Sequence, residues 1–379
     1  MGKRSSGAGT PDGRAELEAL RRRTSELNRR ILDLLSERAR VVIEVRKVKE
    51  RHAIDLFSPG REAEMLEDLV SANPGPFPDD TIRHLFREVF RASLGLMEGE
   101  AETSLRVARK PGEPDAVIRV GGQGLPARAI GAAPVVIAGP CAVEDEEQVE
   151  AVAAELARLG VGFIRGGAFK PRTSPYAFQG LGARGLGILA AAARRHGLAT
   201  VTEVVDTRSV DLVARHADVV QVGSRNMANY ELLKALGSTR KPVLLKRGFA
   251  ATLDELLLAA EYLASAGNED VILCERGVRT FARETRFTLD ISAVPLLKRM
   301  TRLPVVVDVS HSAGRRDILP SLARAALAAG AHGVMVEVHP DPALARSDAQ
   351  QQLDFAAFRE LLASLAPLWT PAPRGRRGR

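Results

Sequence analysis

The chain has 379 residues, 45% hydrophobic and 27% charged, and is therefore long enough to bury one large core and one small one. No apolar run reaches the roughly 18 residues of a membrane span, and residues 1–6 have no apolar segment behind their charges, so we expect a cytoplasmic protein. Two cysteines exclude a disulfide framework and leave Cys141 and Cys274 as reduced thiols.

The net charge of +7 does not indicate a nucleic-acid partner, because most of it lies at the chain ends. Residues 1–13 contribute +1 and residues 371–379 contribute +4, so only +2 remains for the rest of the chain. The aromatic fraction is 4%, and no basic run is interleaved with aromatic residues that could stack on bases. We therefore predict disordered tails over 1–13 and 371–379, and neither a nucleic-acid nor a membrane partner.

The first folded segment is predicted to be an all-helical domain over residues 14–98. Apolar residues recur at steps of three, four and seven from 14 to 51, which predicts one long helix. Such a helix is too long to bury its apolar stripe in so small a domain, so we expect a partner helix from a second copy and a homo-oligomer, either a dimer or a tetramer. Ser58-Pro59 predicts the start of a second helix over 61–71, and a third helix is predicted over 79–97.

Residues 99–115 are polar, contain Pro111-Gly112 and lack sustained periodicity, which predicts a linker. Residues 117–130 predict a small hairpin that plugs the bottom of the following domain.

From residue 116 to residue 370 the sequence predicts a closed (β/α)8 barrel. Eight short β-branched runs alternate with amphipathic segments, and polar residues crowd the carboxyl ends of the runs. The predicted strands lie near 134–141, 162–168, 199–205, 218–223, 242–247, 270–275, 303–309 and 333–338. The predicted fold class is therefore α/β, a TIM barrel with a separate small all-α domain before it.

Four residues at or just past the predicted strand ends could ligate a metal: Cys141, His311, Glu337 and Asp348. A thiolate, an imidazole and two carboxylates suit a divalent transition ion such as manganese, iron, cobalt or zinc better than magnesium. Each residue alone is weak evidence, because a single cysteine in a strand is usually a small buried hydrophobe. Cys274 lies inside an apolar strand and is interpreted in that way.

A second group at the strand ends is cationic and comprises Arg165, Lys170, Arg172, Arg225, Lys246, Arg247 and Arg276. Positive charges so close together repel unless an anion lies among them, and arginine forks suit phosphate and carboxylate oxygens. The pattern indicates a phosphorylated, carboxylated substrate beside a metal. Carbon–carbon bond chemistry and hydrolysis both remain possible on these grounds.

Residues 180–185, GLGARG, match a dinucleotide fingerprint, but about ten irregular residues separate them from the preceding strand, which disfavours a nicotinamide enzyme.

Six segments closely resemble type I 3-deoxy-D-arabino-heptulosonate 7-phosphate (DAHP) synthases of the shikimate pathway. They are AGPCAVE at 138–144, RGGAFKPRTSP at 165–175, GSRNM at 223–227, LKRG at 245–248, CERG at 274–277 and DVSHS at 308–312. The resemblance implies an aldol-like condensation of phosphoenolpyruvate with erythrose 4-phosphate. The sister family that uses arabinose 5-phosphate has Ala-Asn between the lysine and the arginine, where this chain has Pro171, which favours the four-carbon aldehyde.

The same resemblance implies the role of individual residues. It assigns the metal to Cys141, His311, Glu337 and Asp348, and catalysis to Lys170, Cys141 and His311. It assigns phosphoenolpyruvate to Arg165, Lys170, Arg225, Lys246 and Arg276, and erythrose 4-phosphate to Arg172 and Thr173.

Residues 14–98 resemble the chorismate mutase domain that precedes this barrel in some bacterial synthases. The resemblance implies a site for chorismate or prephenate at Arg21, Arg38, Lys49, Arg61, Glu62 and Ser93. Two positions depart from the family pattern: Ser58 replaces an aspartate, and Met97 stands where a glutamine normally donates to the ether oxygen. The helical domain is therefore expected to be regulatory and at most a slow mutase. The alternatives are a metal-dependent phosphohydrolase, or a synthase of the 3-deoxy-octulosonate 8-phosphate type, with a purely sensory helical domain.

Overall fold

The computed structural model of the protein describes residues 11–52, 59–102, 105–121, 126–172 and 174–370. The chain divides into two compact units, Met1–Ser104 and Leu105–Arg379. Residues 1–10 of the tail predicted over 1–13, the tail at 371–379, Ser58 and Thr173 lie outside the described residues. Residues 11–13 belong to the first helix, so the predicted tail is too long by these three residues. Within the described residues, no helix is both long and apolar enough to cross a membrane.

The first unit consists of helices α1 (Pro11–Arg51), α2 (Pro59–Ser71) and α3 (Asp79–Glu102). Helix α3 packs against both α1 and α2, and Leu66 and Phe90 are buried in this small unit. The three helices agree with those predicted from periodicity, although α3 continues five residues past its predicted end. The 41 residues of α1 span about 60 Å, and most of its apolar side chains remain exposed.

The structure differs from the linker predicted over 99–115. Residues 99–102 continue helix α3, and residues 105–116 lie along the barrel. Val107 is buried there, the Arg109 amide donates to the Met300 carbonyl, and Asp115 pairs with Arg109, Lys298 and His332. A single buried valine produces no periodicity, which is why the sequence alone suggested an unattached segment.

The second unit is a closed parallel barrel, which confirms the predicted fold class. The strands are β3 (Val135–Gly139), β4 (Phe163–Arg165), β5 (Ala199–Val204), β6 (Val219–Val222), β7 (Val243–Lys246), β8 (Val271–Glu275), β9 (Val305–Asp308) and β10 (Gly333–Glu337). They pair in chain order, and β10 closes the barrel against β3. All eight strands lie where the sequence predicted them, within a few residues.

Helices surround the barrel, and several begin at side-chain caps that the sequence supplies. They are α4 (Glu146–Arg158), α5 (Ala183–His196), α6 (Val210–His216), α7 (Tyr230–Gly237), α8 (Leu253–Ser265), α9 (Ala293–Met300), α10 (Val309–Ala313), α11 (Leu319–Ala328) and α12 (Phe355–Leu365). Thr252 and Glu255 form a capping box at α8, and the Asp145 carboxylate caps α4.

The predicted hairpin is present as β1 (Ile118–Val120) and β2 (Arg128–Ile130). Ile118, Val120 and Ile130 pack with the inward-facing side chains of the barrel, among them Phe163 and Met335. The hairpin therefore closes the amino-terminal end of the barrel. The carboxyl ends of the strands form the opposite end, which we call the mouth.

Candidate active site at the barrel mouth

Three of the four predicted metal ligands meet at the mouth. Cys141 follows β3, His311 lies on the short helix α10 after β9, and Glu337 ends β10. One ligand atom from each of these residues lies within 4.8 Å of the other two. Gly139, two residues before Cys141, lets β3 approach the end of β4: its φ is +150°, and a Cβ there would lie 2.0 Å from the Arg165 carbonyl oxygen, so no larger residue fits.

The Asp308 carboxylate orients the His311 ring so that Nε2 faces the cluster. The ring nitrogen Nδ1 lies 2.8 Å from Asp308 Oδ2, which leaves Nε2 facing Glu337 Oε1 at 3.4 Å. Burial lowers the pKa of His311, although Asp308 and Glu337 oppose this effect. A neutral imidazole held by a carboxylate on its far nitrogen is the form in which histidine binds metals.

Asp348, the fourth predicted ligand, reaches the cluster from the loop after β10. Its Oδ2 lies 3.0 Å from Cys141 Sγ. Among the described residues it is the only non-glycine residue with a positive φ, +48°, a strained conformation that is commonest at functional sites. Burial alone would raise its pKa, but the thiol hydrogen bond and nearby His311 and Arg286 hold that pKa well below its usual range.

The electrostatics of Cys141 fit a site for a cation. Burial, followed by the charge of Glu337, raises the pKa of the Cys141 thiol to about 12, and Lys170 only partly opposes this. The thiolate therefore needs a further positive charge beside it. A thiolate, a neutral imidazole and two carboxylates together suit a divalent transition ion.

Several of the predicted cations contact this cluster or the Asp308 carboxylate that orients it. Arg165 Nη1 lies 2.8 Å from Glu337 Oε1, and both side chains are buried. Lys246 Nζ donates to Asp308, the same carboxylate that holds His311. Lys170 Nζ lies 3.1 Å from Cys141 Sγ and 3.0 Å from the Cys141 carbonyl oxygen. The cationic group and the metal-ligand group therefore form one connected network.

Arg276 and Arg225 also line the mouth, where each lies against an aromatic ring. The Arg276 guanidinium is 3.8 Å from the centre of the Phe287 ring, and Arg225 is 5.3 Å from that of Phe249. Arg276 Nη1 is buried and has no hydrogen-bond partner, and burial lowers the pKa of Arg276 to about 10. Its Nη2 donates to the His311 carbonyl at 3.3 Å, so only Nη1 lacks an acceptor, which an anionic ligand in the cavity can supply.

These side chains enclose a cavity of about 310 Å³ at the mouth. Its lining includes the predicted residues Lys170, Arg172, Arg225, Lys246, Arg276, His311 and Asp348. Glu203 and Arg286 also line it, and sequence reasoning had assigned a role to neither. Asp308 was within a quoted motif but had no assigned role, although it orients both His311 and Lys246.

Arg247 does not join the other cations, contrary to its inclusion in the cationic group. Its Nη1 lies 2.8 Å from Glu275 Oε2 and 2.9 Å from Asp290 Oδ2, and it does not line the cavity. Consecutive strand residues point to opposite faces, so Lys246 faces the mouth while Arg247 faces the surrounding layer.

The structure brings only some of the residues predicted for the chorismate or prephenate site of the helical unit into contact. Arg38 Nη1 lies 2.5 Å from Ser93 Oγ, and the Arg38 guanidinium is 4.9 Å from the centre of the Phe90 ring. Arg61 is paired with Glu64 on an exposed face, and Glu62 and Lys49 are half-buried. Met97 lies on α3, but its side chain is outside the described part of the chain. Arg21 lies 17 residues before Arg38 on the same helix, which is about 25 Å away.

Comparison with known proteins agrees with this geometry. Residues 127–368 match the family model of the DAHP synthetase I family. The chain belongs to the DAHP synthetase I family. Residues 20–98 match the model of chorismate mutase type II, so a mutase-type domain precedes the DAHP synthetase barrel.

Individual relatives of this DAHP synthetase include a phospho-2-dehydro-3-deoxyheptonate aldolase of Thermotoga maritima. It is 54% identical over 233 residues, which cover 62% of this chain and 69% of the relative. A crystal structure of the T. maritima aldolase has a TM-score of 0.66 at 50% identity and covers 69% of this chain and 76% of that one. A 2-dehydro-3-deoxyphosphooctonate aldolase of Bradyrhizobium is 36% identical over 249 residues, 61% of this chain and 86% of the relative.

We predict that Arg247 supports the barrel and takes no part in ligand binding. Arg247→Met leaves the fully buried Glu275 carboxylate without its ion-pair partner, and should lower the free energy of unfolding by about 3–5 kcal/mol. Arg225→Met, which removes an exposed guanidinium, should leave that free energy nearly unchanged. Urea unfolding of both variants measures this, and equal stability of the two would contradict the assignment.

Proposed function

We propose that the barrel condenses phosphoenolpyruvate with erythrose 4-phosphate in a metal-dependent reaction that yields DAHP and inorganic phosphate. The observation that carries this proposal is the convergence of Cys141, His311 and Glu337, with ligand atoms within 4.8 Å, beside a cavity lined by cations. Asp348 supplies a fourth ligand. The metal is manganese, iron, cobalt or zinc, and when bound it supplies a Lewis acid that polarises the aldehyde carbonyl.

The residues of the chain divide the remaining work. Lys170, Arg225, Lys246 and Arg276 hold the phosphate and carboxylate of phosphoenolpyruvate and orient its methylene carbon towards the aldehyde. Arg165 does not line the cavity, and it contributes indirectly because its guanidinium holds the Glu337 carboxylate in place. Lys170 is an ammonium: although burial opposes it, the neighbouring Cys141 and Glu337 raise the pKa of Lys170. Its Nζ lies beside Cys141, where it can stabilise the negative charge that develops on the aldehyde oxygen.

The loop between β4 and α5 indicates which aldehyde is the second substrate. Arg172 lines the cavity, and Lys170-Pro171-Arg172-Thr173 carries the sequence typical of synthases that use erythrose 4-phosphate. The 36% identity to 2-dehydro-3-deoxyphosphooctonate aldolases makes arabinose 5-phosphate the second candidate. Pro171 favours the four-carbon sugar, and a direct comparison of the two aldehydes tests it.

We further propose that the helical unit pairs with a second copy in a homo-oligomer. Large apolar side chains along α1 are at least 41% exposed: Leu17, Leu20, Leu27, Ile31, Leu32, Leu34, Leu35, Val41, Val45 and Val48. An apolar surface of this length is expected to be covered by another chain. The 25 Å between Arg21 and Arg38 supports the same pairing, because one small ligand can contact both arginines only if they come from two copies.

The helical unit is proposed to bind chorismate or prephenate and to regulate the barrel. Arg38, hydrogen-bonded to Ser93, and the half-buried Lys49 supply cations and a hydroxyl for a dicarboxylate. A bound ligand can change the activity of the barrel only if it binds two arrangements of the chain with different affinity.

Cys141→Ser should abolish phosphate release while the fold survives, because a serine hydroxyl replaces a thiolate ligand poorly and a catalytic metal contributes little to folding. The assay measures inorganic phosphate with phosphoenolpyruvate alone, erythrose 4-phosphate alone, and both together. Cys274→Ser is the matched control, since Cys274 packs in the barrel interior and should tolerate the change. Release from phosphoenolpyruvate alone would indicate a hydrolase, and normal turnover by metal-stripped Cys141→Ser would exclude the metal assignment.

Removal of residues 1–104 should leave an active synthase that prephenate no longer inhibits. The boundary falls between the two compact units, and a truncated form of the T. maritima synthase has a solved structure that covers 69% of this chain, with a TM-score of 0.63. Steady-state rates of both forms over a prephenate titration measure the effect. If prephenate inhibits the truncated protein equally well, the regulatory site lies in the barrel.

The mutase reaction should be slow, and Met97→Gln should accelerate it at least about tenfold. A thioether has no proton to donate to the ether oxygen, and loss of one such donor typically costs about 10²–10³ in rate. Conversion of chorismate to prephenate by wild type and variant measures this, with prephenate binding retained in both. A wild-type rate as high as that of dedicated mutases, or no gain with glutamine, would refute the interpretation of Met97.

A further inference from the structure

Arg286 lies on the long loop between β8 and α9 and lines the cavity. Its Nη1 donates to Asp348 Oδ1 at 3.0 Å and to Gln351 Oε1 at 3.1 Å. Arg286 lies outside the six sequence segments that resemble DAHP synthases. It is nevertheless a guanidinium in direct contact with a proposed metal ligand.

The backbone holds Arg286 in this position. The Arg286 amide donates to the Ala313 carbonyl and the Phe287 amide donates to the Ser312 carbonyl, both at 2.9 Å, which ties the loop to helix α10 beside His311. The approach requires a glycine on the other side: Gly314 has a φ of +68°, and a Cβ there would lie 2.4 Å from the Arg286 Cβ. These contacts fix the loop to the helix that carries His311, and they hold the Arg286 side chain at the edge of the cavity.

The cations that line the cavity differ in depth. Lys246 and Arg276 are buried, whereas the side chains of Arg172 and Arg286 are 26% and 36% exposed. Arg172 and Arg286 flank Asp348: Arg172 Nη1 lies 3.8 Å from Oδ2, and Arg286 contacts Oδ1. Two guanidinium groups thus share one carboxylate, and within the part of the chain that the structure describes neither pairs with another, so their positive charge exceeds that of Asp348.

We propose that Arg286 binds the phosphate of the aldehyde substrate, opposite Arg172 across Asp348. This inference rests on the proposed function. An aldehyde that directs its carbonyl towards Cys141, His311 and Glu337 carries its phosphate at the other end of its chain, nearer the opening where the two arginines lie. A phosphate dianion offers several oxygens to two guanidinium forks and neutralises the charge that Asp348 alone does not.

The test compares Arg286→Gln and Arg286→Lys with Arg283→Gln, a matched control on an exposed part of the same loop. Initial rates of phosphate release give KM for each substrate, and calorimetric titration without substrates gives the Kd for Mn²⁺. Arg286→Gln should raise KM for erythrose 4-phosphate at least about tenfold, since hydrogen bonds between charged groups are the strong ones. KM for phosphoenolpyruvate should stay unchanged, and Arg286→Lys should be intermediate. Because Arg286 contacts Asp348, the Mn²⁺ Kd can rise as well, but by a smaller factor than KM for erythrose 4-phosphate.

Three results would overturn the inference. A weaker Mn²⁺ affinity with an unchanged KM for erythrose 4-phosphate would show that Arg286 only orients Asp348. An equal rise in KM for Arg283→Gln would show a general effect of charge at the mouth. A wild-type enzyme that releases no phosphate from the two substrates together would instead refute the proposed function, and this inference with it.

Discussion

The structure depends on how the barrel buries charge at the carboxyl ends of its strands. Glu337, Asp308 and Glu275 are fully buried, and each is paired with a cation from another strand: Arg165, Lys246 and Arg247 respectively. An isolated charge in such a place would cost several kcal/mol, so the ends of the strands have to carry acids and bases in compensating order. A closed parallel barrel makes this possible because it brings all eight strand ends together.

This pairing also links the two halves of the proposed chemistry. Asp308 holds His311 through one ring nitrogen and Lys246 through its ammonium, so one carboxylate fixes a proposed metal ligand and a proposed phosphoenolpyruvate-binding lysine together. Glu337 does the same for the ligand cluster and Arg165. In the proposed reaction, the metal and the enol phosphate would therefore be positioned by shared groups. Arg276 lines the cavity and its buried Nη1 has no hydrogen-bond partner, so an external anion can supply the missing acceptor.

Much of this arrangement could be predicted from the sequence, because the barrel strands are short β-branched runs that end in polar residues. Cys141, His311 and Glu337 were found from that pattern alone, and the structure brings their ligand atoms together. Arg247 was misplaced because it follows Lys246 directly, and the alternation of a strand sends it to the other face. Arg286 was missed because it lies on an irregular loop that reaches the mouth only through backbone contacts with α10.

Absorption spectroscopy during a Co²⁺ titration of the metal-free protein tests the central claim most directly. Burial raises the pKa of the Cys141 thiol to about 12, so ion binding at neutral pH must displace the thiol proton. We predict a thiolate-to-cobalt charge-transfer band that saturates at one ion per chain, together with release of a proton, and both should be missing in Cys141→Ser. Tight Co²⁺ binding without that band, or the same band in Cys141→Ser, would show that the metal centre does not include Cys141.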